Sequence, residues 1–419
     1  MPPDEATGAA TAVVPHDGAD RVANDLSARV GRAPVPVRAR QVDADVTGTV
    51  ERRLALLLAR RVAEAGSVDA VFGVDVAERV ARFTLAGGRR IRPQFLWWGL
   101  RACGPPDDGQ IDAALPLAVA LELLQTCALV HDDVMDRAPT RRSRPALHAD
   151  YAAQYAPPGH PGGARFGESA AILAGDLALA WADDEVAALP LPARRAGAIR
   201  RTWSRMRMEM VAGQYLDVQG ELTRDRSLGQ ALGVACLKTA RYTVERPLQL
   251  GAVLGGADEP TLRALCAAGR GAGLAFQLRD DLDDVFPGAA RRGKPAGGDL
   301  RAGKPTYLVA LAHARAEAAG DRTSLRVLEH CLGRPGLDES GLSDVRHVLE
   351  HTGARQDVEE KIRTLTARSL RHLDAAPLDP LARARLRTLV RQAAGPGAPP
   401  GGAKSAPGGA ASAPGGGAA

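Results

Sequence analysis

Aromatic side chains are scarce in this chain of 419 residues, where they make up 4% against 45% hydrophobic residues overall. The core must therefore be built mostly from Ala, Leu and Val, which favours helices over sandwiches or barrels. Uninterrupted apolar runs of about eighteen residues, the length that a membrane span needs, are also lacking. A chain of this length can bury a full core without disulfides or metals. We therefore expect a helical globular protein with no membrane span.

Cysteine is equally sparse, with five residues that lie far apart and form no Cys-x-x-Cys pair. This spacing argues against a zinc ribbon and against a disulfide framework, and it suits a reducing compartment. The amino terminus has no basic segment followed by an apolar stretch, so no secretion signal is predicted. We expect a cytoplasmic protein.

Charge of one sign is not concentrated in any segment. The net charge is only +5 and no five Lys or Arg residues are consecutive, so we expect no nucleic-acid partner. Lysine itself is rare, because only five of the 54 basic residues are Lys: Lys238, Lys294, Lys304, Lys361 and Lys404. We expect the lysines that remain to mark positions where a compact ammonium group is needed.

The chain divides into three parts by composition. Residues 1–44 show no sustained apolar period and are interpreted as a mobile N-terminal arm. Residues 395–419 are Gly, Ala, Pro and Ser except for Lys404, which predicts a disordered tail. Between them, residues 45–394 are predicted to form one all-α domain, because apolar residues recur at helical spacing and strand alternation is hardly seen. The main helical runs are 50–63, 111–135, 170–189, 199–218, 228–254, 260–285, 305–319 and 342–373.

An acidic cluster ends one of the longest apolar runs. Asp132 and Asp136 are one helical turn apart, so their side chains lie 40° from each other and about 6 Å apart along the axis. Like charges so close on an apolar helix are destabilising unless a cation lies between them. Carboxylate oxygens suit a hard ion, so the spacing predicts Mg²⁺ held by carboxylates, substrate phosphates and water.

The same pattern returns 148 residues later, where Asp280 and Asp284 again end an apolar run. A single acidic cluster is usually only a solvated helix end. Two clusters that each follow a buried run point to carboxylate faces opposed across a cavity. Such faces would hold several Mg²⁺ ions with a polyanion between them.

Basic residues near both clusters indicate what that polyanion is. The segment 87–93 places three arginines beside a flexible Gly pair, and Arg141 and Arg142 follow the first cluster. Guanidinium groups match phosphate oxygens in bidentate geometry. Three of the five lysines, Lys238, Lys294 and Lys304, flank the second half of the predicted site. Together these residues predict a diphosphate site.

The ordered set of motifs resembles that of the trans-isoprenyl diphosphate synthases, the polyprenyl synthetase family, and most of all geranylgeranyl diphosphate synthases. The resemblance covers residues 45–392. It departs from the family pattern in Arg89 where Lys is usual, Gln125 where many bacterial members have His, and Ser143 where Gly is usual. The motifs are Gly-Gly-Arg-Arg-Ile-Arg-Pro at 87–93, the first acidic cluster with Arg141 and Arg142, Lys238-Thr239, Phe276-Gln277 with the second cluster, and the lysines Lys294 and Lys304. Weaker echoes are Gly175-Asp176 and Gly213-Gln214 to Asp217.

The resemblance implies an isoprenoid-synthase-type helical bundle around a central deep cavity, usually a homodimer. It implies condensation of isopentenyl diphosphate with an allylic diphosphate (dimethylallyl, geranyl or farnesyl), with about three Mg²⁺ ions in each active site. The implied metal residues are Asp132, Asp136 and Asp280 as ligands, with Asp133, Asp281 and Asp284 ordering their surroundings.

The resemblance also assigns the substrate groups. Arg141, Lys238 and Lys304 would clamp the allylic diphosphate, with Lys294 as a further substrate-binding residue. Thr239 and Gln277 would place oxygen dipoles beside the forming cation. The residues implied for isopentenyl diphosphate are Arg89, Arg92, Gln125 and Arg142.

Product length is predicted from the residues just before the first aspartate. Ala128 lies one turn below Asp132 on the same side of the helix, and both it and Cys127 are small. A tail can therefore pass this level, towards Leu124 and Leu121 as a floor. We expect geranylgeranyl diphosphate, with farnesyl or a longer polyprenyl diphosphate as the alternative.

Two other functions are weighed against this one. A class I terpene cyclase shares the first acidic face but needs an Asn-containing second motif, and the single Asn of the chain is Asn24 in the predicted arm. A noncatalytic synthase-like subunit usually loses carboxylates, whereas both clusters are intact here. Both alternatives are disfavoured.

Overall fold

The structure is a computed structural model that describes residues 39–155, 161–223, 225–286 and 297–395. Most of the predicted N-terminal arm and of the predicted tail lies outside the described residues, as does Lys294. The last six residues of the arm correct its predicted boundary, because they form a helix on which Val42 is fully buried. Asp43 of this helix accepts hydrogen bonds from Trp97 Nε1 at 2.8 Å and from Arg101 Nε at 3.1 Å, so residues 39–44 belong to the helical domain.

Helices make up nearly all of the described chain, which confirms the all-α prediction. Two helical segments have π geometry and are called π1 and π2. The helices are α1 Ala39–Ala44, α2 Val46–Val68, α3 Ala70–Phe72, π1 Gly73–Ala77, α4 Glu78–Leu85, α5 Ile91–Arg101, α6 Asp108–Met135, α7 Leu147–Tyr155, α8 Pro161–Ala187, α9 Ala193–Thr223, α10 Leu228–Val234, π2 Ala235–Glu245, α11 Arg246–Leu254, α12 Glu259–Val285, α13 Gly298–Ala302, α14 Tyr307–Ala319, α15 Arg322–Cys331, α16 Glu339–His351, α17 Ala354–Ala375 and α18 Pro380–Ala393.

The strands of the described residues form one small hairpin. β1 (Thr140–Arg141) pairs antiparallel with β2 (Arg144–Pro145), with Arg141 opposite Arg144. Arg142 and Ser143 form the turn with φ of 53° and 60°. A two-residue turn of the I′ type requires positive φ at both positions, which is why a hairpin turn usually contains Gly.

Helix α6 is the central element of the bundle. Asp107 and Gln110 form a capping box at its start, and most of the 28 residues that follow are buried. By length and composition α6 could cross a membrane, but most of its apolar stretch is buried inside the protein. A core helix passes the same test, so this feature is weak evidence for a membrane span.

The long helices pack against one another in several pairs. Helix α8 packs along α6, whereas α9 packs on π2 and α11. Helix α12 packs on π2 and α17, and α5 packs on α11. Helices α6 and α12 carry the two acidic clusters near their carboxyl ends.

The run predicted over 228–254 is one continuous helix with π2 in its middle. Two glycines on neighbouring helices allow close packing against it. A Cβ atom on Gly213 of α9 would lie 2.4 Å from the backbone N of Lys238, and one on Gly273 of α12 would lie 2.3 Å from the carbonyl O of Ala240. Short π segments are frequent at functional sites, and this one carries Lys238 and Thr239.

The run predicted over 342–373 is interrupted. Helix α16 ends at His351 and α17 begins at Ala354, with Gly353 between them at a φ of 70°. Glycine adopts this left-handed conformation at little steric cost, so it ends one helix and redirects the chain while the apolar spacing continues.

Candidate active site

The first acidic cluster lies at the carboxyl end of α6, as the sequence predicts. The three carboxylates differ in burial: Asp133 is completely buried, whereas the side chains of Asp132 and Asp136 are 18% and 19% exposed. The more accessible pair is the one that the helical spacing places on a common face. Asp133 does not share this face, and its carboxylate pairs with Arg141.

Asp132 is the centre of a polar cluster drawn from four elements. Its Oδ1 lies 3.1 Å from Lys238 Nζ of π2 and 3.1 Å from Gln214 Nε2 of α9. Its Oδ2 accepts from an Arg141 guanidinium nitrogen at 3.1 Å. Burial opposes ionisation of Asp132, but the charges of Lys238, Lys304 and Arg141 outweigh it and lower the pKa of this carboxyl. Asp132 is therefore an anion held by basic groups.

Arg141 reaches the cluster from the β hairpin. Its Nε donates to Asp133 Oδ1 at 2.7 Å, and its terminal nitrogen is shared between Asp133 and Asp132. Burial raises the pKa of Asp133, and the pairing with Arg141 offsets this only in part. Asp133 therefore orients Arg141.

Lys304 neutralises the second accessible carboxylate of the cluster. Its Nζ lies 2.7 Å from Asp136 Oδ2, 3.7 Å from Asp217 Oδ2 and 3.9 Å from Glu221 Oε1. Although burial and nearby charge oppose each other, the surrounding carboxylates raise the pKa of Lys304. The ammonium is thus held among three acidic side chains.

Asp217 and Gln214 of α9 are site residues that the sequence indicated only weakly. Asp217 Oδ2 lies 2.5 Å from Lys238 Nζ, so one lysine bridges Asp217 and Asp132. Glu221, one turn further on, was not identified at all. Burial raises the pKa of Glu221 to about 7, with Lys304 opposing this shift. The spacing Gln-x-x-Asp-x-x-x-Glu on one helical face was the available signal.

The second acidic cluster is more buried than the first, because only the first of its one-turn pair is exposed. Asp280 is exposed at the end of α12, whereas Asp281 and Asp284 are each 5% exposed. Gln277 Nε2 donates to Asp281 Oδ1 at 2.6 Å, and the backbone N–H of Asp299 donates to Asp284 Oδ2 at 3.0 Å. Burial raises the pKa of Asp281 well above its usual value, and the negative charges of Asp299, Asp280 and, least of the three, Asp217 add to this shift.

The two clusters are therefore linked through Asp217. This residue binds the same lysine as Asp132, and its charge also acts on Asp281. Carboxylates at the carboxyl ends of α6 and α9 thus surround Lys238 and Lys304. Among the described residues, no three Asp, Glu, His or Cys side chains are grouped so as to hold a metal ion by themselves.

The three arginines of segment 87–93 have different environments. Arg90 is 3% exposed and pairs with Glu122 at 2.6 Å inside the core. Arg89 is exposed, and its guanidinium carbon lies 5.3 Å from the ring centroid of Phe276 of α12. This contact brings the Gly-Arg loop beside the second acidic cluster. The Arg89 side chain is therefore at the surface, whereas the Arg90 side chain is part of the core.

The other residues predicted for isopentenyl diphosphate are Arg92, Arg142 and Gln125. Arg92 stacks 4.3 Å from the ring centroid of Tyr242 and donates to Thr243 Oγ1 at 2.9 Å. An Arg142 guanidinium nitrogen would lie 3.4 Å from a Cβ placed on Gly88. Gln125 is half-buried, and its Oε1 has no hydrogen-bond partner among the described residues.

Of the residues predicted to set product length, Leu124 and Cys127 belong to the main core. Leu124 is fully buried, Cys127 is 3% exposed and Ala128 is half-buried. Cys127 Sγ lies 3.7 Å from His131 Nδ1, and His131 in turn packs against Gly175 of α8, where a Cβ would lie 2.2 Å from its Nε2. Cys127 therefore faces α8, while Thr239, the last predicted catalytic residue, is half-buried in π2.

Comparison with known proteins identifies relatives over most of the chain. Residues 74–341 match the Polyprenyl synthetase family. The chain is 33% identical to the (2E,6E)-farnesyl diphosphate synthase of Mycobacterium tuberculosis over 269 residues, 64% of this chain and 68% of that protein. It is 30% identical to the geranylfarnesyl diphosphate synthase of Aeropyrum pernix over 295 residues, 70% of this chain and 85% of that protein.

A solved structure is similar over almost its whole length. The geranylgeranyl pyrophosphate synthase of Corynebacterium glutamicum, complexed with isoprenyl diphosphate and magnesium, superposes with a TM-score of 0.77 at 35% identity. The match covers 83% of this chain and 98% of that one.

Proposed function

The chain belongs to the polyprenyl synthetase family, and from that premise we propose that it makes geranylgeranyl diphosphate. It is a prenyltransferase of isoprenoid biosynthesis, which condenses isopentenyl diphosphate with an allylic diphosphate. The observation that carries the site assignment is the cluster around Asp132, where Lys238, Gln214 and Arg141 converge on one carboxylate. What is proposed is the product, the residue roles and the assembly.

The basic residues of this cluster are suited to a leaving diphosphate. The allylic carbon–oxygen bond breaks with its electron pair going to the diphosphate, so negative charge develops there in the transition state. Lys238, Lys304 and Arg141 already lie within 4 Å of carboxylates at one location, and preorganised cations stabilise such charge without further rearrangement. The double bond of isopentenyl diphosphate then attacks the allylic cation, and the released diphosphate accepts the proton lost from the new chain.

The accessible aspartates fit Mg²⁺, the metal expected for the family. Asp132 and Asp136 offer oxygen donors only, are partly exposed, and share a site with groups that bind diphosphate. Because Mg²⁺ is usually held by one or two carboxylates with phosphate and water, a cage made by protein alone is not required. Bound Mg²⁺ supplies a Lewis acid that polarises the leaving diphosphate. We propose three ions, held by Asp132, Asp136 and Asp280.

The arginines that are not committed to the core are suited to isopentenyl diphosphate. Arg89 is exposed beside Phe276, and Arg142 lies against Gly88 at the same loop. Arg92 is oriented by Tyr242 and Thr243, and the orphan amide oxygen of Gln125 lies on the α6 face below Asp132. Lys294 lies outside the described residues and stays a prediction.

The product assignment depends on the small side chains of α6. Neither Cys127 nor half-buried Ala128 carries the bulk that would stop a tail one turn below Asp132. Ala128→Phe is expected to shorten the main product by at least one five-carbon unit, as measured by chromatography of the dephosphorylated products. An unshortened chain would show that Ala128 does not line the path of the tail.

The proposed reaction is tested by incubating the purified chain with farnesyl diphosphate, isopentenyl diphosphate and Mg²⁺. We expect one diphosphate released for each isopentenyl unit consumed, with a twenty-carbon main product. A terpene cyclase would release diphosphate without isopentenyl diphosphate, and a noncatalytic subunit would release none. Either result would refute the proposed reaction.

We also propose a homodimer formed through α9. Met208, Val211, Tyr215, Val218 and Leu222 are 41–86% exposed and recur at alternating spacings of three and four residues. This is the a/d pattern of a helix that packs against another helix. Sedimentation should give a dimer for the wild type and a monomer for Val211→Glu with Tyr215→Glu, whereas a wild-type monomer would contradict the proposal.

A cytoplasmic location is proposed on similar grounds. All five cysteines are free, which suits a reducing compartment. The apolar helix α6 is mostly buried in the core of the protein. Cell fractionation of the tagged full-length chain tests this, and recovery in the membrane pellet after a high-salt wash would contradict it.

A further inference from the structure

A buried glutamate of α9 holds two arginines of the helical run 228–254. Glu209 is 8% exposed and accepts from Arg241 Nη1 at 2.7 Å. It also forms a bidentate pair with Arg246, whose Nε lies at 2.8 Å and whose Nη2 lies at 2.7 Å. Arg205, one turn earlier on α9, donates through its Nε at 3.3 Å. Burial opposes ionisation of Glu209, but the pairing with Arg246 and Arg241 outweighs it and lowers the pKa of this carboxyl.

The same set of charges extends to α12. Glu245, the last residue of π2, is 1% exposed and accepts from Arg270 of α12 in a second bidentate pair, at 2.9 Å from Nε and 2.8 Å from Nη2. Arg246 Nη1 lies 3.5 Å from the Glu245 carboxylate and links the two pairs. The ion-pair cluster therefore joins α9, the run of π2 and α11, and α12. Its members are Glu209, Arg241, Glu245, Arg246 and Arg270.

Each helix that the ion-pair cluster joins also carries a group of the candidate active site. On α9, Asp217 follows Glu209 by eight residues, about 12 Å along the helix axis. On π2, Lys238 comes three residues before Arg241, and on α12 Gln277 lies about 10 Å beyond the cluster arginine. In the part of the chain that the structure describes, no member of the cluster forms a hydrogen bond or ion pair with Lys238 or Asp217. The cluster therefore lies beside the site and outside its contacts.

Glycines form the close contacts between π2 and its neighbours. A Cβ atom on Gly213 would lie 2.4 Å from the backbone N of Lys238, and one on Gly269 would lie 2.9 Å from the Cα of Glu245. The contact of Gly273 with π2 is equally close. Two helices normally define their relative position by fitting ridges of side chains into grooves, and a glycine surface has no such ridge. Bidentate ion pairs fix both distance and direction, so the ion-pair cluster supplies the register that the glycine contacts leave open.

Lys238 needs a precise position. Its Nζ lies 2.5 Å from Asp217 Oδ2 and 3.1 Å from Asp132 Oδ1, so a small shift of π2 would move the ammonium away from one of these carboxylates. A misplacement of about 1 Å in an active site can cost about a hundredfold in rate. A buried ion pair adds little stability compared with apolar side chains of similar volume. The cluster is therefore better explained by the position that it fixes than by the stability that it adds.

From these contacts we propose that Glu209 is a positioning residue for Lys238. Its partners Arg241 and Arg246 fix π2 against α9, and π2 in turn holds the Lys238 ammonium between two carboxylates. The inference rests on the proposed function, in which Lys238 binds the allylic diphosphate. Glu209 itself does not touch the substrate.

The test replaces the bidentate pair by apolar side chains, in Glu209→Met with Arg246→Met. This double variant should keep a Tm close to that of the wild type, because such a replacement is often neutral or stabilising. Its kcat/KM for farnesyl diphosphate, measured with isopentenyl diphosphate and Mg²⁺, should fall by about tenfold to a hundredfold. The matched control is Asp43→Leu with Arg101→Met, which removes a similarly buried pair between α1 and α5 and should leave kcat/KM unchanged.

A double-mutant cycle with Lys238→Met separates positioning from a general loss of structure. Because Glu209 acts through Lys238, the loss of kcat/KM caused by Glu209→Met with Arg246→Met should shrink to about threefold or less when residue 238 is already Met. Glu209→Gln, which keeps the shape of the side chain, replaces the double variant in this cycle if that variant does not fold.

Two results would overturn the proposal: an undiminished loss in the Lys238→Met background, or a wild-type kcat/KM in the folded Glu209 variants. Absence of any condensation by the wild-type chain would overturn the proposed function itself, and with it this inference.

Discussion

Arg89 and Arg90 are adjacent in sequence but should fail in different ways when replaced by Ala. Arg90 pairs with Glu122 at 2.6 Å, where the two side chains are 2% and 6% exposed, and it also donates to Thr84 O at 3.0 Å. Removing one partner of such a buried pair leaves an uncompensated charge and costs about 3–5 kcal/mol. Arg89, by contrast, is exposed, and its guanidinium group lies over the face of Phe276.

The expected stability change is large enough to measure by thermal unfolding. A folded domain of about 350 residues has an unfolding entropy near 0.7 kcal/mol/K, so Arg90→Ala should lower the Tm by about 4–7 °C. Arg89→Ala should leave the Tm within about 1 °C, because substitutions at exposed positions usually change stability by less than about 0.5 kcal/mol. Its effect should instead fall on kcat/KM for isopentenyl diphosphate, by about tenfold to a hundredfold, as expected when a charged hydrogen bond is lost.

A double variant provides the control. Replacing Glu122 by Met together with Arg90→Met removes both charges, and such a replacement of a buried pair is often neutral or stabilising. The double variant should therefore recover most of the Tm lost by Arg90→Ala. The assignment of roles would be refuted if Arg90→Ala left the Tm unchanged, or if Arg89→Ala lowered the Tm while kcat/KM stayed the same.

Three further substitutions test other parts of the structure. Ser143→Gly should raise the free energy of unfolding by about 0.5–1 kcal/mol, because Ser143 has a φ of 60° in the hairpin turn; a destabilised variant in urea unfolding would contradict the turn geometry. Gly213→Ala should destabilise the protein by about 1–3 kcal/mol and raise the KM for the allylic substrate, since its Cβ would meet the backbone of Lys238; an unchanged KM would mean that Lys238 is not positioned by this contact. Glu221→Gln tests the raised pKa of about 7 for the Glu221 carboxyl. Because this pKa is higher in the folded than in the unfolded protein, Glu221 makes the folded protein less stable as the pH rises from about 4.5 through 7. Without metal, the variant should therefore have a higher Tm than the wild type at pH 8 and an equal Tm at pH 5. Equal Tm values at both pH values would show that Glu221 ionises normally.

The sequence was sufficient to locate both acidic clusters, because their helical spacing is a local property. Asp132 and Asp136 do share the accessible face of α6, and Arg141 lies beside them. The helix of π2 and its neighbours was also predicted over its full length, but not its π geometry. Apolar spacing does not distinguish an α-helix from a π-helix. The close packing against π2 depends on Gly213 of α9 and Gly273 of α12, which lie on other helices.

Long-range contacts account for what the sequence did not reveal. In the sequence, Arg90 cannot be distinguished from Arg89 and Arg92. Its burial in the core depends on its ion pair with Glu122, 32 residues away. Asp217 gains its role from lysines that come 21 and 87 residues later, and Glu221 from its burial beside Lys304. Glu209 binds arginines that come 32 and 37 residues later.

Binding of inorganic diphosphate with and without Mg²⁺ is the most direct test of the central claim. We propose that acidic side chains of α6 and α12 bind Mg²⁺, and that the bound Mg²⁺ binds the diphosphate. By calorimetry, Mg²⁺ should tighten diphosphate binding to the wild type by about tenfold or more, and this gain should disappear in Asp132→Asn with Asp280→Asn. Equal diphosphate affinity with and without Mg²⁺ in the wild type, or an unchanged gain in the double variant, would contradict the account.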